Sequence, residues 1–165
     1  MASPYLPVHA LYSHVVAALA TALGSSWRRS GKHPQLLEEQ VSAPETTRLW
    51  SMSVESSTWA DEGAQRQRDP SGARTQTAIR VSFLRRVRSD DAAGTDYVSA
   101  LQDEQTVINA MLAIGRQVTG HGPIQALLWT ATPARSPVPT DSTVTVQKVD
   151  LDFVAVHLVP LAAGL

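Results

Sequence analysis

TVTVQKVDLDFVAVHLVPL, residues 143–161, is the longest strand-like run in the chain. Side chains on a β-strand alternate between its two faces, so Leu151, Phe153 and Ala155 share one side of this run. From Val154 onward the other side is apolar as well. A strand with two apolar faces is typical of a sheet that is covered on both sides. We therefore predict a buried closing strand whose second face is covered by a helix, a loop or a neighbouring subunit.

Apolar spacing predicts two helices and three more strands before this run, because recurrence every three or four residues indicates a helix and alternation indicates a strand. The turn signal at Asp69-Pro70-Ser71-Gly72 indicates a long hairpin arm. The predicted elements are a helix from Val8 to Leu23 ended by Gly24, strands over Thr46–Glu55, Thr75–Val87 and Ile124–Thr132, a helix over Tyr97–Gln117, and loops over Ser56–Arg74 and Pro133–Ser142. This order predicts an α+β fold, a mostly antiparallel β-sheet packed against two α-helices, with a long projecting β-hairpin loop.

The second predicted helix has an apolar and a polar face. We expect the polar face to be exposed and the apolar one to pack on the sheet. The apolar face is predicted to hold Tyr97, Leu101, Val107, Ile108, Met111, Leu112 and Ile114, and the polar face Gln102, Asp103, Gln105 and Asn109.

Length and composition exclude several classes of protein. At 165 residues we expect a single domain over 1–165. The net charge of −1 gives no indication of nucleic-acid or membrane binding. The absence of cysteine excludes disulfides, thiol catalysis and most structural zinc sites. No apolar run approaches the ~20 residues of a membrane helix, and the N-terminal segment lacks the basic start of a signal peptide, so we expect a cytosolic protein.

Few side chains indicate catalysis or the binding of a cofactor or metal. The chain has no nucleophile elbow, P-loop or dinucleotide fingerprint, and we expect no cofactor, no metal and no enzymatic activity. Asp150 and Asp152 share a strand face and could bind a cation or act as an acid–base pair. A solvated edge or an intersubunit salt bridge is the alternative that we favour. His157, in an apolar strand, is predicted to be a core or interface histidine with a hydrogen-bond partner.

Arginines gather on and after the strand Thr75–Val87. The cluster comprises Arg74, Arg80, Arg85, Arg86 and Arg88. A pore-lining face of this kind would meet DNA phosphates. A face turned to a neighbouring subunit would instead meet carboxylates such as Asp150 and Asp152. A solvated face is the third interpretation and the one that we favour. Arg80, Arg85, Arg86 and the loop residue Trp59 are our candidate lumen or partner contacts.

The order of elements resembles small phage tail-terminator and tail-completion proteins. The resemblance covers most of the chain and rests on order rather than on a sequence motif. The matching pieces are VHALYSHVVAALATAL, TQTAIRVSFLRRV, DYVSALQDEQTVINAML after the acidic turn, and VTVQKVDLDFVAVHLVPL. The family does not predict two segments of this chain, which are Ser25–Pro44 and the loop around Trp59.

This resemblance implies a structural role in the virion, after synthesis in the host bacterial cytoplasm. Such proteins form a ring, usually a homohexamer, that caps the head-proximal end of the tail tube, stops tube growth and meets the head–tail connector. DNA passes through the lumen without sequence-specific binding, and no membrane is involved. A head–tail connector or adaptor is the alternative, followed by a small α+β enzyme or ligand-binding domain that uses Asp150, Asp152 and His157. The candidate oligomer interface is Val154, Val156, Leu158, Asp150 and Asp152.

Overall fold

The computed structural model describes residues 5–40, 48–59, 72–88, 94–117, 124–138 and 144–160. Within these ranges the chain forms two α-helices, a 3₁₀ helix and a sheet of six strands. The elements are α1 (Val8–Leu23), β1 (Arg28–Arg29), the 3₁₀ helix (Pro34–Gln40), β2 (Leu49–Trp59), β3 (Gly72–Arg88), α2 (Thr95–Gln117), β4 (Ile124–Trp129), β5 (Ala134–Val138) and β6 (Val144–Pro160).

The predicted closing strand is the centre of this sheet. β6 pairs with β3 along one side, and with β4 and then β5 along the other. The order β1-β2-β3-β6-β4 is antiparallel except between β1 and β2, and the described sheet is not closed. The predicted α+β class is therefore confirmed. The strands of the hairpin extend to Trp59 and from Gly72 into the predicted loop, and the loop between them lies outside the described residues.

Both helices pack on the same face of the sheet, which we call the helix face. It carries the buried residues Val149, Leu151, Phe153, Ala155 and His157 of β6. The four apolar residues among these pack with Trp50, Met52, Ile79, Val81, Phe83 and the apolar stripes of α1 and α2 in one core. α1 ends at Gly24, whose φ of 70° lies in the left-handed region that glycine tolerates, as the sequence predicts.

The opposite face, the second face, is covered at one end by the 3₁₀ helix. Leu37 of that helix is fully buried against Leu49, Leu84, Val138 and Val146. The sequence prediction contained no element at this position. The cover keeps Val146, on the second face near the start of β6, away from water.

The predicted loop at Pro133–Ser142 is wrong over Ala134–Val138, which form β5. Three prolines in this segment favour a loop, but proline is compatible with an edge strand, where its missing N–H points away from the ladder. Pro137 of β5 lies opposite Gln147, and β5 is an edge strand because, among the described strands, it pairs with β6 alone. β1 was likewise not predicted, because two residues leave no periodic signal.

The predicted faces of α2 are wrong in its first half. Tyr97 and Leu101 are exposed, whereas Asp103 is buried at 5% exposure. The buried positions follow helical spacing from Ala100 to Ile114, and two of them are acidic. They are Ala100, Asp103, Glu104, Val107, Ile108, Ala110, Met111 and Ile114. A prediction that sorts residues by polarity misplaces such a stripe.

Arginines compensate both buried carboxylates of α2. The Asp103 carboxylate lies 2.7 Å from an Arg85 guanidinium nitrogen and 3.2 Å from one of Arg48. Glu104 accepts two hydrogen bonds from Arg135 of β5, at 3.0 and 2.9 Å. Buried charges are tolerated when they are paired and hydrogen-bonded. These pairs join α2 to β3 and β5, so the helix is held by ion pairs as well as by apolar packing.

Candidate functional site

The middle of the second face is polar and paired within the chain. Arg80 and Asp152 lie opposite each other on β3 and β6 and form a two-bond ion pair of 2.8 and 3.2 Å. The hydrogen bond to Asp152 raises the pKa of Arg80, which keeps the guanidinium charged. Asp150 accepts a hydrogen bond from the buried Ser82 and lies 3.9 Å from the Lys148 ammonium. Both carboxylates proposed for a subunit interface thus have intrachain partners, and their interface role stays a prediction.

The candidate lumen arginines do not share one surface. Arg85 points to the helix face, where it contacts Asp103 and donates to the Ser99 hydroxyl at 2.6 Å. Arg80 lies on the second face, and Arg86 is paired in the ladder with Val146. Trp59 ends β2 opposite Thr75, and its side chain lies outside the described part of the structure. The sequence clusters these residues, but strand alternation separates Arg85 from Arg80. Their lumen role stays a prediction.

The end of the second face is apolar around β4 and β6. Leu128 and Ala78 flank Val154 in neighbouring strands, and Ala126 lies beside Val156. Leu128 is 54% exposed and Val154 is half-buried, whereas Val156 is buried. Trp129, the next residue of β4, is also exposed. Trp129 pairs with Phe153 and therefore lies on the helix face, so we call Leu128 and Val154 alone the β4 patch.

A second exposed apolar surface lies on the first turns of α2. Tyr97 and Val98 are 55% and 53% exposed, and Leu101 follows one turn later. These three residues, the α2 patch, are the ones that the sequence assigned to the core or did not single out. Extrapolating the helical spacing of Val107, Ile108, Met111 and Ile114 backwards places Val98 off the buried stripe and Leu101 at its margin. Tyr97 still falls on that stripe, so helical spacing could have found Val98 and Leu101 but not Tyr97.

His157 is fully buried and has hydrogen-bond partners on both ring nitrogens. Its Nδ1 is 2.8 Å from the Leu6 carbonyl oxygen, and its Nε2 is 2.8 Å from the Thr77 hydroxyl. The predicted core histidine with a hydrogen-bond partner is confirmed. Because His157 lies on the helix face and both aspartates lie on the second face, the sheet separates the three residues of the enzyme alternative. They do not form one pocket.

A shallow groove of about 410 Å³ runs between α1 and α2. Small side chains line most of it, among them Ala17, Ala18, Ala110 and Ala113, together with His14. Across the described ranges no three His, Cys, Asp or Glu side chains are grouped closely enough to hold a metal. No described helix is both long and apolar enough to cross a membrane.

Comparison with known proteins finds similarity among solved structures. No protein-family model and no curated protein matches the chain. Among solved structures, the chain is similar to one described as "Virion of native gene transfer agent (GTA) particle", with 18% identity and a TM-score of 0.44, over 90% of this chain and 91% of that chain. Similarity at this level carries no argument about function, which has to be argued from the surfaces of the chain itself.

Proposed function

We propose that this chain is a structural component of a phage or phage-like virion, and within it a tail terminator. In this role about six copies form a ring that caps the head-proximal end of the tail tube, stops its growth and joins it to the head–tail connector, while DNA passes through the lumen. The chain acts by assembly and not by catalysis. The resemblance in element order suggests the role, and the exposed apolar surface of the described chain is the observation that supports it.

The β4 patch and the α2 patch are the surfaces that support a role in assembly. Large apolar side chains grouped at the surface of a soluble protein usually mark a contact with another molecule. Tyr97, Val98 and Leu101 occupy one end of a helix, whereas Leu128 lies on the edge strand β4 and Val154 on β6 beside it. Two different patches suit a head-to-tail contact, in which one surface of a copy meets another surface of the next. Contacts of this kind close into rings when the rotation allows it.

The outer side of α1 is a third surface of low polarity. No Asp, Glu, Lys or Arg occurs from residue 1 to residue 27. The exposed hydroxyls of Ser13 and Thr21 donate to the carbonyls of His9 and Ala17, at 3.1 and 3.0 Å. Because these donors are satisfied within the helix, the main polar groups that α1 offers to solvent are the exposed rings of His9 and His14. An uncharged helix face is typical of one that is covered in an assembly.

Co-purification tests the proposal and separates it from the connector alternative. A tail terminator should bind tail-tube protein, and a connector or adaptor should bind the portal side instead. Particles made without this chain should carry tubes of uncontrolled length in electron micrographs if it is a terminator. Tubes of normal length that fail to join heads would identify a connector. Normal, joined particles would contradict both roles.

A matched pair of substitutions on β4 tests the surface itself. Leu128→Glu places a charge in the β4 patch, whereas Gln125→Glu places the same charge at an exposed position three residues earlier on the strand. We expect Leu128→Glu to abolish binding to tubes while the purified variant stays folded by circular dichroism. Gln125→Glu should bind as the unsubstituted chain does. Equal binding by both variants would remove the β4 patch from the proposal.

A further inference from the structure

The segment before α1 is fastened to the end of β6. The Leu6 N–H donates to the Leu158 carbonyl at 2.7 Å, and the Leu6 carbonyl accepts from His157 Nδ1 at 2.8 Å. The Pro7 carbonyl accepts the first hydrogen bond of α1, from Leu11 at 2.9 Å. The start of α1 is therefore connected to the sheet through a few hydrogen bonds, and one of them comes from a titratable side chain.

The geometry fixes the tautomer of His157. A carbonyl oxygen can only accept, so Nδ1 carries the proton that it donates to Leu6. Nε2 of the neutral ring then accepts the hydrogen of the Thr77 hydroxyl, 2.8 Å away. The Thr77 oxygen is in turn 2.9 Å from the Ser57 hydroxyl, which can donate to it. The ring is fully buried, and every one of these contacts suits the neutral form.

Within the described ranges, the groups around the ring offer no charge to balance an imidazolium. The neighbouring positions are Thr75 and Thr77 on β3, Ile124 on β4 and Ser57 on β2. α1 carries no Asp, Glu, Lys or Arg, and its His9 and His14 are exposed. Some charged side chains are close to His157 along the chain or in the strand pairing, but they lie on the second face or at its edge. They are Arg74, Arg80, Asp150, Asp152 and Glu55. Burial accordingly lowers the pKa of His157, with the Leu6 hydrogen bond opposing it.

We propose that His157 is a proton-sensitive latch that holds the segment Tyr5–Pro7 and the start of α1 against the sheet. A second proton would bind at Nε2 and create a buried positive charge that the described surroundings do not neutralise. Detachment of the segment opens a path for the imidazolium to reach water. Acidification thus releases the N-terminal segment while the ladder between β3 and β6 remains paired. This device is independent of the role in a virion.

The difference in proton affinity of His157 between the closed and the open state sets the size and direction of the pH effect on opening. Because the closed state binds the second proton less readily than the open state, the open population is constant above the ordinary histidine value of about 6.5 and rises below it. One proton is taken up on opening, so the rise is at most about tenfold per pH unit. It levels off once the closed state is also protonated.

Hydrogen exchange followed by mass spectrometry tests the latch on the full chain. Exchange of peptides covering Tyr5–Leu11, corrected for the intrinsic rate, should accelerate between about pH 6.5 and pH 5 and stay flat above about pH 7. In His157→Gln the opening should not depend on pH over this range. The control His14→Gln, at an exposed position of α1, should keep the pH dependence of the unsubstituted chain. The proposal would be overturned if the exchange of this segment still depended on pH in His157→Gln, or if it did not depend on pH in the unsubstituted chain.

Nitrogen-15 spectra of the unsubstituted protein supply a second measurement if His157→Gln does not fold. The His157 ring should be neutral with its proton on Nδ1 at about pH 7, and the amide signal of Leu6 should broaden or shift with the same midpoint at which the ring titrates. A ring protonated on Nε2, or a Leu6 signal that does not respond while the ring titrates, would contradict the latch.

Discussion

Asp103 shows most clearly how a single residue holds this fold. It is buried in α2 between Arg85 and Arg48. Replacing it by asparagine leaves the Arg85 charge, whose side chain is 11% exposed, without its main partner. Loss of one member of a buried pair typically costs about 3 kcal/mol of unfolding free energy. We expect urea unfolding of Asp103→Asn to show a loss of this order.

Asp152→Asn is the matched control, because it makes the same chemical change in an ion pair that is more exposed. Both Arg80 and Asp152 are about one-third exposed, at 37% and 35%. Exposed pairs contribute up to about 1 kcal/mol, so the loss should be much smaller than for Asp103→Asn. Similar losses in the two variants would mean that the burial of Asp103 does not govern the strength of its pairing.

Thr77 gives a second prediction at this scale. Its hydroxyl is buried between His157 Nε2 and Ser57. Thr77→Val keeps the shape but leaves Nε2 without its donor, and an unsatisfied buried acceptor costs about 1–3 kcal/mol. Ser57→Ala removes only the exposed end of the same chain of hydrogen bonds and should cost less than about 1 kcal/mol. Thermal unfolding of the two variants compares the costs, and equal shifts would contradict a buried hydrogen bond between Thr77 and His157.

Elements differ in how far the sequence predicts them. β6 and α1 were predicted well because each carries an uninterrupted apolar pattern of one period. The faces of α2 were not, because Asp103 and Glu104 stand at buried positions and their partners Arg85, Arg48 and Arg135 lie on other elements. β5 was missed because only its pairing with β6 makes a proline-containing segment a strand. The local sequence pattern predicts an element correctly when the structure of that element depends on its own residues. It fails when a partner from a distant part of the chain determines the structure.

The 3₁₀ helix offers a prediction that uses adjacent leucines. Leu37 is fully buried on the second face, and Leu36 is 45% exposed. Leu37→Ala should lower the unfolding free energy by about 2–4 kcal/mol, because it removes a buried side chain and leaves a cavity. Leu36→Ala should change it by less than about 0.5 kcal/mol. Chemical denaturation of both variants tests whether this short helix covers the sheet in solution, and equal effects would contradict that cover.

At the scale of the whole molecule, the candidate site was the part least accessible from the sequence. The excess apolar surface of the closing strand predicted an interface at Val154, Val156 and Leu158. Val156 is buried by its own chain, whereas the exposed Tyr97 was assigned to the packed face of its helix and the exposed Leu128 and Val98 were not singled out. Exposure depends on how helix and strand faces are covered, and that is a property of the packed molecule. A charge at Val156 is therefore expected to unfold the chain, and Leu128 is the better probe of assembly.

The assembly of copies on tail tubes tests the central proposal most directly. Tubes mixed with the unsubstituted protein and viewed by electron microscopy should end in an additional ring at one end and stop growing. The folded variant Leu128→Glu should leave the tubes bare and growing, whereas Gln125→Glu should cap them. Unsubstituted protein that remains monomeric and leaves every tube uncapped and elongating would contradict the account.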